Sequence, residues 1–562
     1  MIRTIKSGRG RRWLWAASAA VLPLALLVSP SGSSADTVNP ITLTAPSNLP
    51  GVPALPGPVA PSFTAANTIG VLGVTPSQGV QGTPMTITGT GLAANTQLSL
   101  VWGTSNATWI ADVEPATVNY LGRTNSTVNV TIGTVTTDAQ GNFSFPYTAP
   151  ADFGGIHTIY AVQTINAQPT EVAYNGFTLL RIVKVTPTSG PIGTPIHITY
   201  TGMGASFYTG GASLLWDNHY VGEMMANWTR GTASITIRAA GPVGTHYIQI
   251  GNAISYLYLN VVQSPIPYTN GATVPFTVTK DNGPGPASIA WPADVTPTVS
   301  QVTTLSNANL DPNSTAVATL SSTSGPVDST VILNVTGLPV SGSMSLQWAT
   351  VVGNRVNCNS TCWAFASSTL GNATASGGSL TATVNVPDGL GGWHELQVVN
   401  GSTVEAQVPF YVKESIVPFY NSTGSKVISM GLATANDTTA AIANGQSGVG
   451  SRVFHQGDEF TISIKGVGWT QLDNVLGVDY DNSYMGYGCG FNSNGYMVIH
   501  LHATGGLGTH IIDLYPMLYS LSPSFANTPY GMVPLLSYAR DYPGLALGYH
   551  VPAMRFAIKI VK

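Results

Sequence analysis

In the stretch 84–90, PMTITGT, Met85 and Ile87 alternate with Thr86 and Thr88, and that period of two predicts a strand with one apolar and one polar face. Comparable runs open at 74–91 (VTPSQGVQGTPMTITGTG), 185–202 (VTPTSGPIGTPIHITYTG), 320–337 (LSSTSGPVDSTVILNVTG) and 450–468 (GSRVFHQGDEFTISIKGVG). Each is followed by a strand carrying an aromatic: Trp102 in LSLVWG, Trp216 in ASLLWD, Trp348 in MSLQWA and Tyr480 in LGVDYD. A third strand starts from a glycine turn and a histidine, at DFGGIHTIYAV, GPVGTHYIQI, GLGGWHELQVV and GGLGTHIIDL, and each unit closes on an aromatic-led strand at Phe177, Phe276, Phe410 or Phe556. Glycine and proline at the junctions supply the turns. The chain is therefore read as an all-β, fourfold internal repeat.

Repeats two and four are the most alike: WDNHYVG (216–222) matches YDNSYMG (480–486). Short alternating strands with an inner aromatic, in units of this size, resemble the immunoglobulin-like β-sandwich. The first two openings are similar to the start of IPT/TIG and related bacterial or archaeal Ig-like surface domains, P-x-x-G-x-x-G-T followed by alternating Ile or Val. The third departs from that pattern at Asp328-Ser329, and the fourth departs most. The resemblance implies a tandem array of four Ig-like β-sandwiches in an extracellular setting, and no activity. The expected boundaries are 70–183, 184–280, 317–414 and 415–562, the last with a long aromatic insertion at 515–552. Pro-rich residues 36–69 are expected to be a linker or a donor strand for a neighbour, and 281–316 a linker.

Composition sharpens this picture. Only 8% of the 562 residues are charged, and there are 62 glycines and 38 prolines. Such a chain suits strands and turns with a neutral Thr/Ser/Asn surface. Arg3, Lys6, Arg9, Arg11 and Arg12 precede an apolar run that ends in small residues, which reads as a signal peptide over 1–35. Its removal takes five of the 20 basic side chains and leaves the 24 acidic ones in excess. That excludes nucleic acid as the expected partner, and no later stretch is long and apolar enough for a transmembrane span. Localisation is expected to be extracellular or at the cell surface, with other copies of the chain, cell-surface proteins or glycans as partners.

Candidate chemistry is sparse. His157, His246, His394 and His510 share their strand faces with apolar residues, so they are read as core histidines bonded to backbone carbonyls rather than as metal ligands. His500 and His502 lie on one face of a strand, a metal-chelating spacing without a third local ligand. Asp479, Asp481 and Asn482, with Asp217 and Asn218 in repeat two, present oxygens for calcium or form Asx turns. No nucleophile elbow, zinc-protease or phosphate-loop motif is present. The chain is therefore expected not to be an enzyme and to need no cofactor, with an extracellular hydrolase as the alternative. Cys358 and Cys362 are placed to pair in an oxidising compartment, leaving Cys489 free. Candidate glycosylation sequons head at Asn106, Asn125, Asn129, Asn142, Asn227, Asn313, Asn334, Asn359, Asn372, Asn400, Asn421 and Asn436. Tyr515, Tyr519, Tyr530, Tyr538, Tyr542 and Tyr549 form either a binding surface or a cover folded back over the sandwich. The function expected is adhesion or the building of an extracellular structure, including a self-assembling sheath, filament or surface layer.

Overall fold

The computed structural model describes residues 40–65, 69–114, 117–206, 209–252, 259–260, 262, 271–297, 310–353, 363–421, 452–518 and 532–562. Cys358, Cys362, Asn359, Asn436, Tyr519 and Tyr530 lie outside them. Among the described residues the chain is all-β, and its one helical turn is Pro543–Leu547.

The strands pair into three-stranded sheets and larger ones. In repeat one, Val71–Thr75, Pro84–Thr90 and Phe143–Thr148 form the small sheet. The large one is built on Gln97–Glu114, Gly155–Ile165 and Gln168–Leu179. Pro84–Thr90 shows strict exposed-buried alternation, with Met85 and Ile87 inward, and it meets Leu100, Trp102, Ile159 and Phe177 of the facing sheet. Repeats two and three repeat the plan with Ile182–Thr186, Pro195–Thr201 and Ala233–Arg238, then Val317–Leu320, Thr330–Thr336 and Ser379–Asn385, as their small sheets. In repeat four the small sheet is Ser415–Asn421, Glu459–Lys465 and Met497–His502. These are Ig-like two-sheet sandwiches.

The modules are not separate beads. Repeats one and three each keep a core of their own. Repeats two and four share one buried core with residues of 532–551 and with Trp109, Ala111, Val118 and Tyr120 of repeat one. Those four belong to an unusually long hairpin, Gln97–Glu114 and Thr117–Thr136, of 18 and 20 residues, where a strand of about five or six is ordinary. Its inner half carries Trp102 in repeat one's core, and its outer half crosses into the shared core.

The described parts of the two segments read as linkers, or for 36–69 as a linker or donor strand, pair within the chain. Pro40–Thr42 pairs antiparallel with 110–112 and Thr64–Ala65 pairs with 170–171, with Leu43 and Leu49 buried between. This segment is laid on the chain's own first sheet because its apolar side chains find cover there. Residues 281–297 likewise join repeat four. Ser288–Ala290 pairs with 553–555, and Asp281 Oδ1 accepts from Thr509 Oγ1 at 2.6 Å.

Candidate functional site

The excursion before the last strand becomes the meeting point of all four repeats. Leu535 forms a bridge with Glu223, and Leu536 N–H donates to the Glu223 carbonyl, so the excursion continues the edge of repeat two's sheet. At the other end Val533–Pro534 pairs with Met517 and Leu518 of repeat four. Ser537 Oγ accepts from Met225 N–H, and Tyr538 OH donates to the Ala290 carbonyl at 3.0 Å. Asp541 is fully buried and gathers three donors: Trp109 Nε1 at 3.0 Å from repeat one, and the amides of Asn227 and Trp228 from repeat two. Burial raises the Asp541 carboxyl to about 6 in spite of these donors.

The turn Pro543–Leu547 ends at Gly548, whose φ of +76° and closeness to Trp393 and Pro297 leave no room for a side chain. Repeat three closes on this turn: Trp393 Nε1–H donates to the Leu547 carbonyl at 3.2 Å, and Tyr411 OH accepts from His550 N–H at 3.0 Å.

Tyr515, Tyr538, Tyr542 and Tyr549 are thus all buried, as in a cover folded back over the sandwich and not in a binding surface. Their rings pack in one buried cluster with Leu535, Leu536, Leu545, Leu547 and Val551, separating the modules from water. Tyr515 OH also accepts from Arg555, which reaches Asp513 Oδ2 at 2.8 Å and the Thr236 carbonyl of repeat two at 3.0 Å. Arg238 of repeat two binds the same Asp513 from the other side. Burial favours the neutral acid, but the two guanidinium groups outweigh it and hold Asp513 below the usual carboxylate range. Asp479, its cross-strand partner, is pushed far up by burial and by the Asp513 charge, which Arg555 offsets only in part. Glu223, hydrogen-bonded by Ser213 Oγ and Tyr220 OH, is raised by burial to about 8.

No family model matches this chain, and no curated protein matches it in sequence. Among solved structures it is similar to the four-domain ectodomain fragment of ICAM-5, at 10% identity over 88% of this chain and 100% of that one, with a TM-score of 0.17. The Escherichia coli adhesin FdeC is similar at 13% identity over 62% and 99%, with a TM-score of 0.13. Escherichia coli alpha-2-macroglobulin is similar at 9% identity over 86% of this chain, which spans 30% of that structure, with a TM-score of 0.15. At these identities and scores the likenesses carry no argument about this chain.

The remaining sequence candidates are placed as follows. All four repeated histidines are buried and stack on the neighbouring aromatic, His157 on Trp102, His246 on Trp216, His394 on Trp348 and His510 on Tyr480. Both ring nitrogens of each face oxygen. In His157 and His394 these are carbonyls, of Gly103 and Phe153 and of Ala349 and Leu390. In His246 and His510 the Nδ1 partner is a carboxylate, Asp217 at 2.5 Å and Asp481 at 2.6 Å. The Asp217-Asn218 and Asp481-Asn482 pairs have positive φ at both residues, the signature of a two-residue type I′ hairpin turn. With Asp217 and Asp481 engaged by histidine and by a backbone amide, and Asp479 turned inward, the expected calcium oxygens do not converge. His500 and His502 are exposed, His500 Nδ1 lying 3.2 Å from Glu459 Oε1 and His502 Nδ1 donating to the Gly457 carbonyl. They too are not brought together with a third ligand, and no cluster of three or more metal-ligating residues occurs among the described residues.

Cys489 is exposed and free. Among the sequons, Asn227 is buried, whereas Asn106, Asn125, Asn313, Asn334, Asn372 and Asn400 are exposed. Asn129 and Asn142 are half-buried, and Asn421 ends the strand Ser415–Asn421. Among the described residues no helix is long and apolar enough to cross a membrane.

Sequence reasoning missed Asp541, Trp109 and Trp228. The available signal was a second apolar alternation, Ala107, Trp109 and Ala111, of opposite parity to Trp102, which gives the far end of this strand an apolar run on its other face.

Proposed function

We propose that this is a secreted or cell-surface, non-enzymatic protein that serves as a rigid building block of an extracellular structure, with other copies of itself as partners. The carrying observation is the buried junction at 532–551, where Asp541, Trp393 and Tyr411 tie together the repeats that the sequence reading had spaced along an array. A flexible adhesin extends its modules and displays the last one. Here the last repeat is instead clasped by the other three, and Tyr515, Tyr538, Tyr542 and Tyr549 are spent inside. Such a body transmits load and keeps one shape, which suits a subunit of a sheath, filament or surface layer.

Electron microscopy of the purified chain tests this: compact particles that order into filaments or lattices are expected, and monomeric beads on a string would overturn it. Turnover in a broad hydrolase screen would overturn the non-enzymatic part.

A further inference from the structure

In each repeat the strand bearing the inner aromatic is followed by a hairpin partner at the edge of the large sheet: Thr117–Thr136, His219–Met225, Trp363–Ala375 and Ser483–Cys489. A sheet edge presents unpaired amides and carbonyls, and natural proteins protect it with charge, proline or a covering segment. Three of the four edges are met by other parts of this chain. On the first, Ala60 N–H donates to the Asn129 carbonyl and Thr131 N–H to the Pro58 carbonyl. The second carries Leu535 and Leu536. The fourth leans on the second through Tyr484 and Tyr220, 6.1 Å apart.

The third edge differs. Among the described residues nothing pairs with the outer side of Trp363–Ala375. The strand is 13 residues long, WAFASSTLGNATA, with no charged residue and no proline. Ala364, Phe365, Ser367, Ser368, Thr369, Asn372 and Thr374 are exposed; Phe365 (47% exposed) lies opposite Val351, and the exposed Val352 (56%), opposite Ala364, faces the other side of the sheet.

We propose that Trp363–Ala375 pairs antiparallel with the same strand of a second copy about a two-fold axis, joining the two large sheets of repeat three into one. Self-pairing is favoured here over a foreign strand for two reasons. An uncharged edge meets its own copy without like-charge cost. The Pro-rich segment expected to be donated between molecules is already used on repeat one of the same chain. A two-fold contact closes on itself, so this surface makes a dimeric unit. The inference rests on the building-block reading and names one of its contacts.

Sedimentation velocity of the full chain over a concentration series tests it. Wild type should dimerise, and raised salt should leave this unchanged because no charge takes part. A Ser367→Lys/Thr369→Lys variant should weaken dimerisation at least tenfold while keeping the wild-type melting temperature. A Ser367→Glu/Thr369→Glu variant should do the same, and mixing the two should restore dimers. Dimers that persist in the Lys variant, a mixture that stays monomeric, or a native glycan on Asn372 would overturn the proposal. If the Lys variant still builds wild-type filaments or lattices, the edge pairing fails and the building-block reading stands. If wild type neither dimerises nor assembles, both fail.

Discussion

At the scale of single residues, the repeated histidine serves two electrostatic purposes on one scaffold. His394 has only carbonyl partners, and burial lowers it to about 4, so it is neutral at ordinary pH. Its Nε2–H then donates to Leu390 at 2.9 Å, and its lone pair faces the more distant Ala349 carbonyl at 3.2 Å. Burial also opposes a charge on His510, but the Asp481 carboxylate outweighs it and the net shift is upward. The stability that His510 contributes is therefore complete below about 6.5 and is lost as pH rises through its folded value. NMR titration should show His510 protonating above the ordinary histidine value and Asp481→Asn moving it down, with His394 unaffected. His510→Ala should cost about 1–3 kcal/mol, because Asp481 and the Gly506 carbonyl lose a buried donor. Period-two alternation alone placed these rings inward. The charge of His510 was not legible, because it depends on an aspartate 29 residues away in a hairpin turn.

At the scale of elements, the parts that read as spacers and loops hold the molecule together. The strand pattern was legible because each sandwich face leaves its mark within a few residues. The destinations of 40–65, 281–297 and 532–551 were not, because their partners lie far along the chain: Pro40 pairs with Asp112, Ser288 with Arg555, and Trp109 meets Asp541 across 432 positions. Asp541→Ala would strand the Trp109 indole and two backbone amides in a dry junction, at a cost of about 3 kcal/mol or more. Hydrogen exchange should then quicken together in the outer half of the long hairpin, around Asn227 and Trp228, and across 532–551, while repeat three's own core stays protected. Protection lost only at position 541 would show that the junction does not bind the repeats. Deleting 40–65 should lower the melting temperature by uncovering the pockets of Leu43 and Leu49.

At the scale of the whole molecule, joining nearly uncharged modules has buried several carboxyls where few cations are at hand. Glu223 is raised to about 8, Asp541 to about 6 and Glu395 to about 8, each by burial, while their unfolded values lie near 4. The folded chain therefore holds protons that the unfolded chain has released. Stability must fall as pH climbs from about 4 through 6 and 8, and His510 adds a loss of the same sign. Asp513 acts in the opposite sense: its contribution is present above the ordinary aspartate range and disappears as pH falls through its lowered folded value. The two trends cross in mildly acid solution, so thermal melts should peak near pH 4–5 and decline steadily towards pH 8.5. Glu223→Gln keeps an acceptor for Ser213 and Tyr220 and removes the titration, so it should flatten the upper part of that decline. A melting temperature that rises from pH 5 to 8 would mean that these acids are ionised in the folded state, and the junction would then have to be held by something other than neutral, buried contacts.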